Sequence, residues 1–181
     1  MFEPFPILKT NRLTLVAIGQ QHLNDLFRLF GNSEVTRYYN IITLTQLGEA
    51  QKIVDHFQNK VRDGLGIRWG ICIEGSEQVI GTIGFNNFSK NHRANIGYDL
   101  LPEYWGKGIM NEALKAVLEY GFTILDVNRV DAEVMVGNTA SENLLSRTGF
   151  TNEGLLRQWM YWNGQYYDMS MFSLLKREFC R

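Results

Sequence analysis

"YWGKGIMNEALKAVLEYGF", Tyr104 to Phe122, sets two glycines around a lysine and runs directly into a helical pattern. Ile109, Ala113, Ala116, Val117, Tyr120 and Ile124 recur at helical spacing, widened by Leu114, Leu118 and Leu125, with Asn111, Lys115 and Glu119 opposite. Glycines at a helix start signal a backbone that something must approach closely. A helix N-terminus offers unpaired N–H groups and a positive dipole end, which suits a phosphate. A P-loop would need a Lys-Ser/Thr pair where Ile109 and Met110 stand. A dinucleotide fingerprint would need a third glycine at Asn111, within repeated βαβ units that the chain lacks. A plain glycine turn with Lys107 in water is the remaining alternative.

Outward from this stretch the chain alternates strands and helices. "RLTLVAI" places Leu13, Leu15 and Ala17 on one face of an opening strand. "HLNDLFRLF" has helical spacing, and Leu44 to Arg62 reads as a second helix, with Thr43 and Gln46 spaced as a capping box. "IRWGICI", "VIGTIGFNNF" and "RANIGYDLL" read as strands, the last with Ile96, Tyr98 and Leu100 on one face and Asn95, Gly97 and Asp99 on the other. After the central helix, "RVDAEVMV" alternates Val130, Ala132, Val134 and Val136 against charged neighbours. "TASENLLSRTGF" is a short helix closed by Gly149, and the end is a hairpin about Asn163-Gly164.

Composition narrows the function. The chain has 181 residues, 45% hydrophobic, enough for one domain with its own core. Its 18 basic and 19 acidic residues balance, which removes the electrostatic footprint of a nucleic-acid binder. No run has the length of a membrane span, and "MFEPFPILKT" lacks the basic end and apolar stretch of a signal peptide. Cys72 and Cys180 suggest no disulfide framework, and the three histidines have no metal spacing beside them. The expectation is a cytoplasmic, soluble, metal-free protein.

Three segments in order, "IGYDLLPEYWGKGIMNEAL", "NRVDAEV" and "NTASENLLSRTGF", resemble the GNAT N-acetyltransferase superfamily, especially its ribosomal-protein N-terminal acetyltransferases (RimJ/RimL type). The likeness runs from "TNRLTL" to "SLLKREF". The family motif is Gln/Arg-x-x-Gly-x-Gly/Ala, and Trp105, Gly108 and Met110 occupy its three defined positions. Trp105 and Met110 depart from the general pattern and look like the ribosomal branch, which often reads Trp-Gly-x-Gly. The resemblance implies one α/β domain over residues 1–181, with a mixed, mostly antiparallel sheet, a splayed strand pair and helices on both faces. It implies acetyl-CoA as cosubstrate, its pyrophosphate on the backbone of Trp105, Gly106, Lys107, Gly108, Ile109, Met110 and Asn111. The pantetheine arm would fill the splay, and a backbone N–H near Leu100 or Leu101 would face the thioester oxygen as a small oxyanion hole. Neither metal, nucleic acid nor membrane enters this picture, while a homodimer is compatible with it.

The resemblance also assigns the thiol end. Many relatives protonate the thiolate with a Tyr seven residues after the Asn that follows the fifth strand; from Asn138 that position is Leu145. The ribosomal branch has instead a Ser three residues after the Asn, and Ser141 stands there. Asn138 is therefore assigned to the pantetheine arm or acceptor, and Ser141 to the thiol. Helix capping by Asn138, or by Thr139 with Glu142, is the structural alternative. Where relatives often carry Glu, this chain has Asn95 and Met160. The remaining carboxylates near the expected site are Asp99, Glu103, Glu153 and Asp168, with Tyr38 and Tyr39 as candidate acceptor contacts.

A weak base bears on the acceptor. An α-amine with pKa ~7.8 is about a tenth neutral at pH 7, against roughly one in 2,500 for a lysine at ~10.4, a gap of ~3.5 kcal/mol. The reading is an acetyl-CoA-dependent N-acetyltransferase acting directly on a protein or peptide N-terminus. A small-amine acetyltransferase, for polyamine, amino acid or antibiotic, and a lapsed CoA-binding regulatory module are the alternatives.

Overall fold

The computed structural model describes Phe2 and residues 4–179; Cys180 lies outside them. In chain order the elements are β1 (Leu8–Lys9), β2 (Leu13–Ala17), α1 (Leu23–Phe30), α2 (Ser33–Thr36) and α3 (Leu47–Arg62). There follow β3 (Ile67–Ile73), β4 (Val79–Ser89), β5 (Arg93–Leu100), α4 (Ile109–Thr123) and β6 (Arg129–Met135). The chain closes with α5 (Thr139–Arg147), β7 (Thr151–Trp162), β8 (Gln165–Leu175) and α6 (Lys176–Phe179). Eight strands form one sheet in the order β1-β2-β3-β4-β5-β6-β8-β7. Every pairing is antiparallel except β5 with β6.

Turn chemistry sets the last hairpin. Asn163 and Gly164 take φ 46° and 78°, the two left-handed conformations of a type I′ turn, and Trp162 faces Gln165. Side-chain alternation then divides the sheet. Trp69, Ile83, Phe85, Ile96 and Leu100 are buried on the face that receives α4, where Tyr120 meets Trp69 edge-on at 5.3 Å. The opposite face receives α1 and α3: Asp25 accepts the Val79 N–H at 2.9 Å, and Phe57 lies 5.2 Å beneath the Arg68 guanidinium. Helices therefore cover both faces, as the resemblance implies. No helix among the described residues is long and apolar enough to cross a membrane.

Three local expectations shift. Helix α3 begins at Leu47, because Leu44 donates its N–H to Phe30 at 3.0 Å and Thr43 bonds Thr36 at 2.6 Å. Its capping box is Gln46 with Glu49, whose carboxylate accepts from Thr45 and Gln46 at 2.8 and 3.1 Å. The buried stripe of α4 is Ile109, Met110, Ala113, Leu114, Val117, Leu118, Gly121 and Phe122. Ile124 falls past the last turn and is exposed, while Leu125 and Val127 turn back into the core. Val136 likewise lies beyond the end of β6 and is exposed, whereas Asp131 within it is buried and paired with Arg129.

Gly121 sets how closely α4 lies on the sheet. A methyl group there would stand 2.6 Å from the tip of the Phe85 ring, which is fully buried and has no room to swing. Gly121→Ala gains at most ~1 kcal/mol of helix propensity against ~1–3 kcal/mol of overpacking. Net destabilisation of up to about 2 kcal/mol is expected, measured as a lower urea midpoint at unchanged slope.

Candidate active site

Strands β5 and β6 pair only at Arg93, Ala94 and Asn95 with Arg129, Val130 and Asp131. Beyond that point β5 runs on beside β4 to Leu100, and β6 runs on beside β8 to Met135, so the two diverge. Register shows what faces the gap. Leu101 donates to Ile80 at 3.0 Å, which makes that pair hydrogen-bonded; the next pair, Leu100 with Gly81, is then of the other kind. The N–H and C=O of Leu100 therefore point away from β4, into the opening. The indole N–H of Trp105 meets that carbonyl at 2.8 Å. Leu100 thus presents an N–H to the gap, whereas that of Leu101 is already spent in the sheet.

At the same end lies the loop into α4. Gly106 and Gly108 have φ 71° and 74°, the left-handed region where side chains strain the backbone. The N–H of Trp105 is donated to Pro102 at 3.0 Å. From Gly106 to Asn111, no N–H makes a hydrogen bond of normal geometry to an acceptor among the described residues. Arg12, just before β2, fixes this arrangement. It is bound to Glu112 through its backbone N–H at 2.9 Å and Nε at 2.7 Å, and donates from Nη1 to the Lys107 carbonyl at 3.1 Å. Thr10 adds a hydroxyl to the same carboxylate at 2.6 Å. Since C=O and N–H oppose each other across a trans peptide, turning the Lys107 carbonyl toward Arg12 turns the Gly108 N–H outward. Lys107 itself lies 5.6 Å above the Tyr104 ring.

On the far side of the gap, Asn138 caps α5, its Oδ1 accepting the Ser141 N–H at 3.2 Å. Glu142 serves no capping box with Thr139 but accepts the Ser170 hydroxyl at 3.1 Å. Ser141 reaches across: its Oγ lies 2.6 Å from the phenol oxygen of Tyr98 on β5. Burial pushes that phenol up to about 12. The position of Leu145 is fully buried and apolar.

A cavity of about 530 Å³ opens beyond, lined by Arg37, Tyr38, Met135, Gln158, Tyr167 and Asp168 among others. Tyr38 belongs to it; Tyr39 instead stacks on Phe30 at 6.2 Å and lines a separate recess of about 270 Å³ with Arg68. Of the carboxylates read from the sequence, Asp168 alone borders the cavity, where it accepts the Gln158 N–H at 2.6 Å. Asp99 is 3% exposed and closed off by Arg68 and by Thr82 at 2.9 Å. Glu103 pairs with Arg28, and Glu153 with Arg129 at 2.6 Å. Asn95 is taken by Asn86 at 2.9 Å. Arg12, Arg37, Gln158 and the role of Tyr98 escaped the sequence reading; for Tyr98 the only signal was its shared face with Leu100.

A strand pair that opens toward a helix N-terminus with outward N–H groups suits a ligand that carries a phosphate, and the comparisons name the family. The sequence profile of the "Acetyltransferase (GNAT) domain" matches residues 12–151, and the chain belongs to that family. It is 42% identical to the Bacillus subtilis (strain 168) protein called "Uncharacterized N-acetyltransferase YoaA", over 95% of this chain and 98% of that one. It is 40% identical to "Uncharacterized N-acetyltransferase p20" of Bacillus licheniformis, over 95% and 97%. Its fold superposes with TM-score 0.83, at 26% identity over 94% of this chain and 98% of the other, on RimL, a ribosomal L7/L12 alpha-N-protein acetyltransferase solved with coenzyme A. The protein is an N-acetyltransferase.

Asp99→Asn tests whether that carboxylate is structural. It leaves the Arg68 guanidinium, 5% exposed, without its counter-charge, and an orphaned buried charge costs about 3–5 kcal/mol. Chemical denaturation should show that loss, and the combined Asp99→Leu, Arg68→Met variant should recover most of it.

Proposed function

We propose that the protein moves an acetyl group from acetyl-CoA directly to the α-amine of a protein or peptide N-terminus. The observation that carries the donor half is the alignment of two donor sets at one end of β5. The Leu100 N–H faces the gap, where a thioester oxygen would gain charge during attack, and the N–H groups of residues 106–111 face outward for pyrophosphate. Asn138 and Ser141 stand on α5, where the pantetheine and thiol ends of such a ligand would lie on this reading. The acceptor half is supported by the cavity beyond the gap, whose lining holds one carboxylate, Asp168, and aromatic rings. With Asp99, Glu103 and Glu153 each paired to an arginine, Asp168 is the one carboxylate of those four that borders the cavity. An acceptor that ionises near ~7.8 needs no strong base. The likeness to RimL points the same way.

Gly108→Glu tests the donor half. A Cβ at Gly108 meets only the Nη2 of Arg12, at 3.5 Å, but the left-handed φ of 74° strains any side chain by roughly 1–2 kcal/mol, so Gly108→Ala is the control that carries the strain without the charge. A negative charge about 4 Å from a phosphate costs on the order of 4 kcal/mol at an effective dielectric of ~20, or roughly three powers of ten in affinity. Titration calorimetry with CoA reads the effect, and unchanged binding would remove the loop assignment.

The pH profile tests the acceptor half. With a peptide acceptor, kcat/KM should rise to a plateau near pH ~8, and its midpoint should follow the peptide's own α-amine pKa. A lysine side chain should react poorly. If the midpoint ignores the acceptor and moves on Asp168→Asn, an enzyme base governs the reaction instead.

A further inference from the structure

We infer that Tyr98 is the group that protonates the departing CoA thiolate and that Ser141 is the hydroxyl that positions it, an assignment that rests on the acetyl-CoA reading above. Tyr98 lies two residues before Leu100 on β5 and shares its face, so it stands beside the N–H that would receive the thioester oxygen. Its phenol oxygen, 2.6 Å from Ser141 Oγ, forms the link between β5 and α5 where the strands have parted. The helix position Leu145 supplies no proton at all. Of the two linked hydroxyls, the phenol is the acid. A phenol ionises far more readily than an aliphatic hydroxyl, even with burial raising Tyr98 to about 12. Against a thiol near ~8.5 both transfers run uphill, and the phenol's is the shallower. The 2.6 Å contact lets either hydroxyl donate, and the assignment uses one direction: with Ser141 donating to the phenol oxygen, the phenol's pKa is lowered and its proton is left for the sulfur.

The step balances. The amine nitrogen forms its bond to the carbonyl carbon, the C–S bond breaks with its electron pair on sulfur, and the Tyr98 proton passes to that sulfur. The phenolate, held by Ser141, recovers a proton from solvent, and the nitrogen sheds its extra proton to solvent as the amide forms.

The test does not need the acceptor. CoA is bound to the wild type, to Tyr98→Phe and to Ser141→Ala, and the pKa of its thiol is titrated by thiolate absorbance. A hydrogen bond to a charged group is worth one to two pKa units, roughly, so loss of the phenol should raise the bound thiol by that amount. Ser141→Ala, which keeps the ring and its proton, should raise it by less. CoA affinity should stay within about threefold in both variants, and kcat with a peptide acceptor should fall ~10²–10⁴-fold in Tyr98→Phe. An unshifted thiol in Tyr98→Phe would overturn the assignment, as would a full shift in Ser141→Ala alone, which would make the serine the donor. Should the wild type fail to bind CoA, the acetyl-CoA reading falls first and this one with it; a shift confined to the variants is possible only if that reading holds.

Discussion

Everything at the active end follows from one interruption: β5 and β6 share three residue pairs and then separate. A strand that loses a neighbour exposes backbone N–H and C=O groups, and each needs a partner once water is excluded. The chain answers locally. Trp105 sends its indole N–H to the Leu100 carbonyl, and the hydroxyls of Tyr98 and Ser141 join the parted elements. What stays open is the Leu100 N–H, a donor held in place on a rigid strand and aimed at a space bordered by two helix N-termini. Such a donor stabilises developing negative charge without reorganising when the charge arrives.

The parting also removes support from β5, and the opposite face restores it. Arg68 on β3 donates to Thr82 at 2.8 Å and Asn86 at 3.0 Å on β4, and to Asp99 on β5. One guanidinium thereby clips three strands together next to the residue whose N–H faces the gap. Buried ion pairs contribute little net stability, because desolvation offsets the attraction. Their yield is geometric. A hydrophobic replacement could hold the strands at similar energy but would not dictate the register of Asp99 against Thr82 so narrowly.

What the sequence revealed tracks how local the governing physics is. The Asn163-Gly164 turn, the β3 strand and the Gly149 stop were legible because each is decided by residues within a turn of one another. The start of α3 was not, since Leu44 is held by Phe30 from another helix. The same division runs through the site. Gly106 and Gly108 were legible as positions that need glycine's backbone freedom, and both take a positive φ. Arg12 was not, because its partner Glu112 lies 100 residues away, and no periodicity links them. Gln158 reaches the cavity only because β7 carries an irregularity between Leu156 and Met160, where its φ is 51°. Asp99 misled for the opposite reason: a carboxylate next to the reacting strand reads as a base until the arginine from β3 is seen.

On the proposed reading, the cavity's charges bear on how an acceptor amine could react there unaided. A carboxylate near an ammonium binds it but also raises its pKa, keeping it in the form that cannot attack. One unit of such a rise would leave an α-amine of pKa ~7.8 near one or two per cent neutral at pH 7. Asp168 is the carboxylate in this lining, which also holds Arg37, whose guanidinium rests 5.1 Å from the Tyr38 ring. Opposed charges across one opening cancel much of the field an incoming amine would feel, while the tyrosine faces still attract its cation weakly. Binding and deprotonation then cease to compete. On the proposed reading, the site leaves the acceptor's acidity close to its value in water, and that suits an N-terminus and not a lysine.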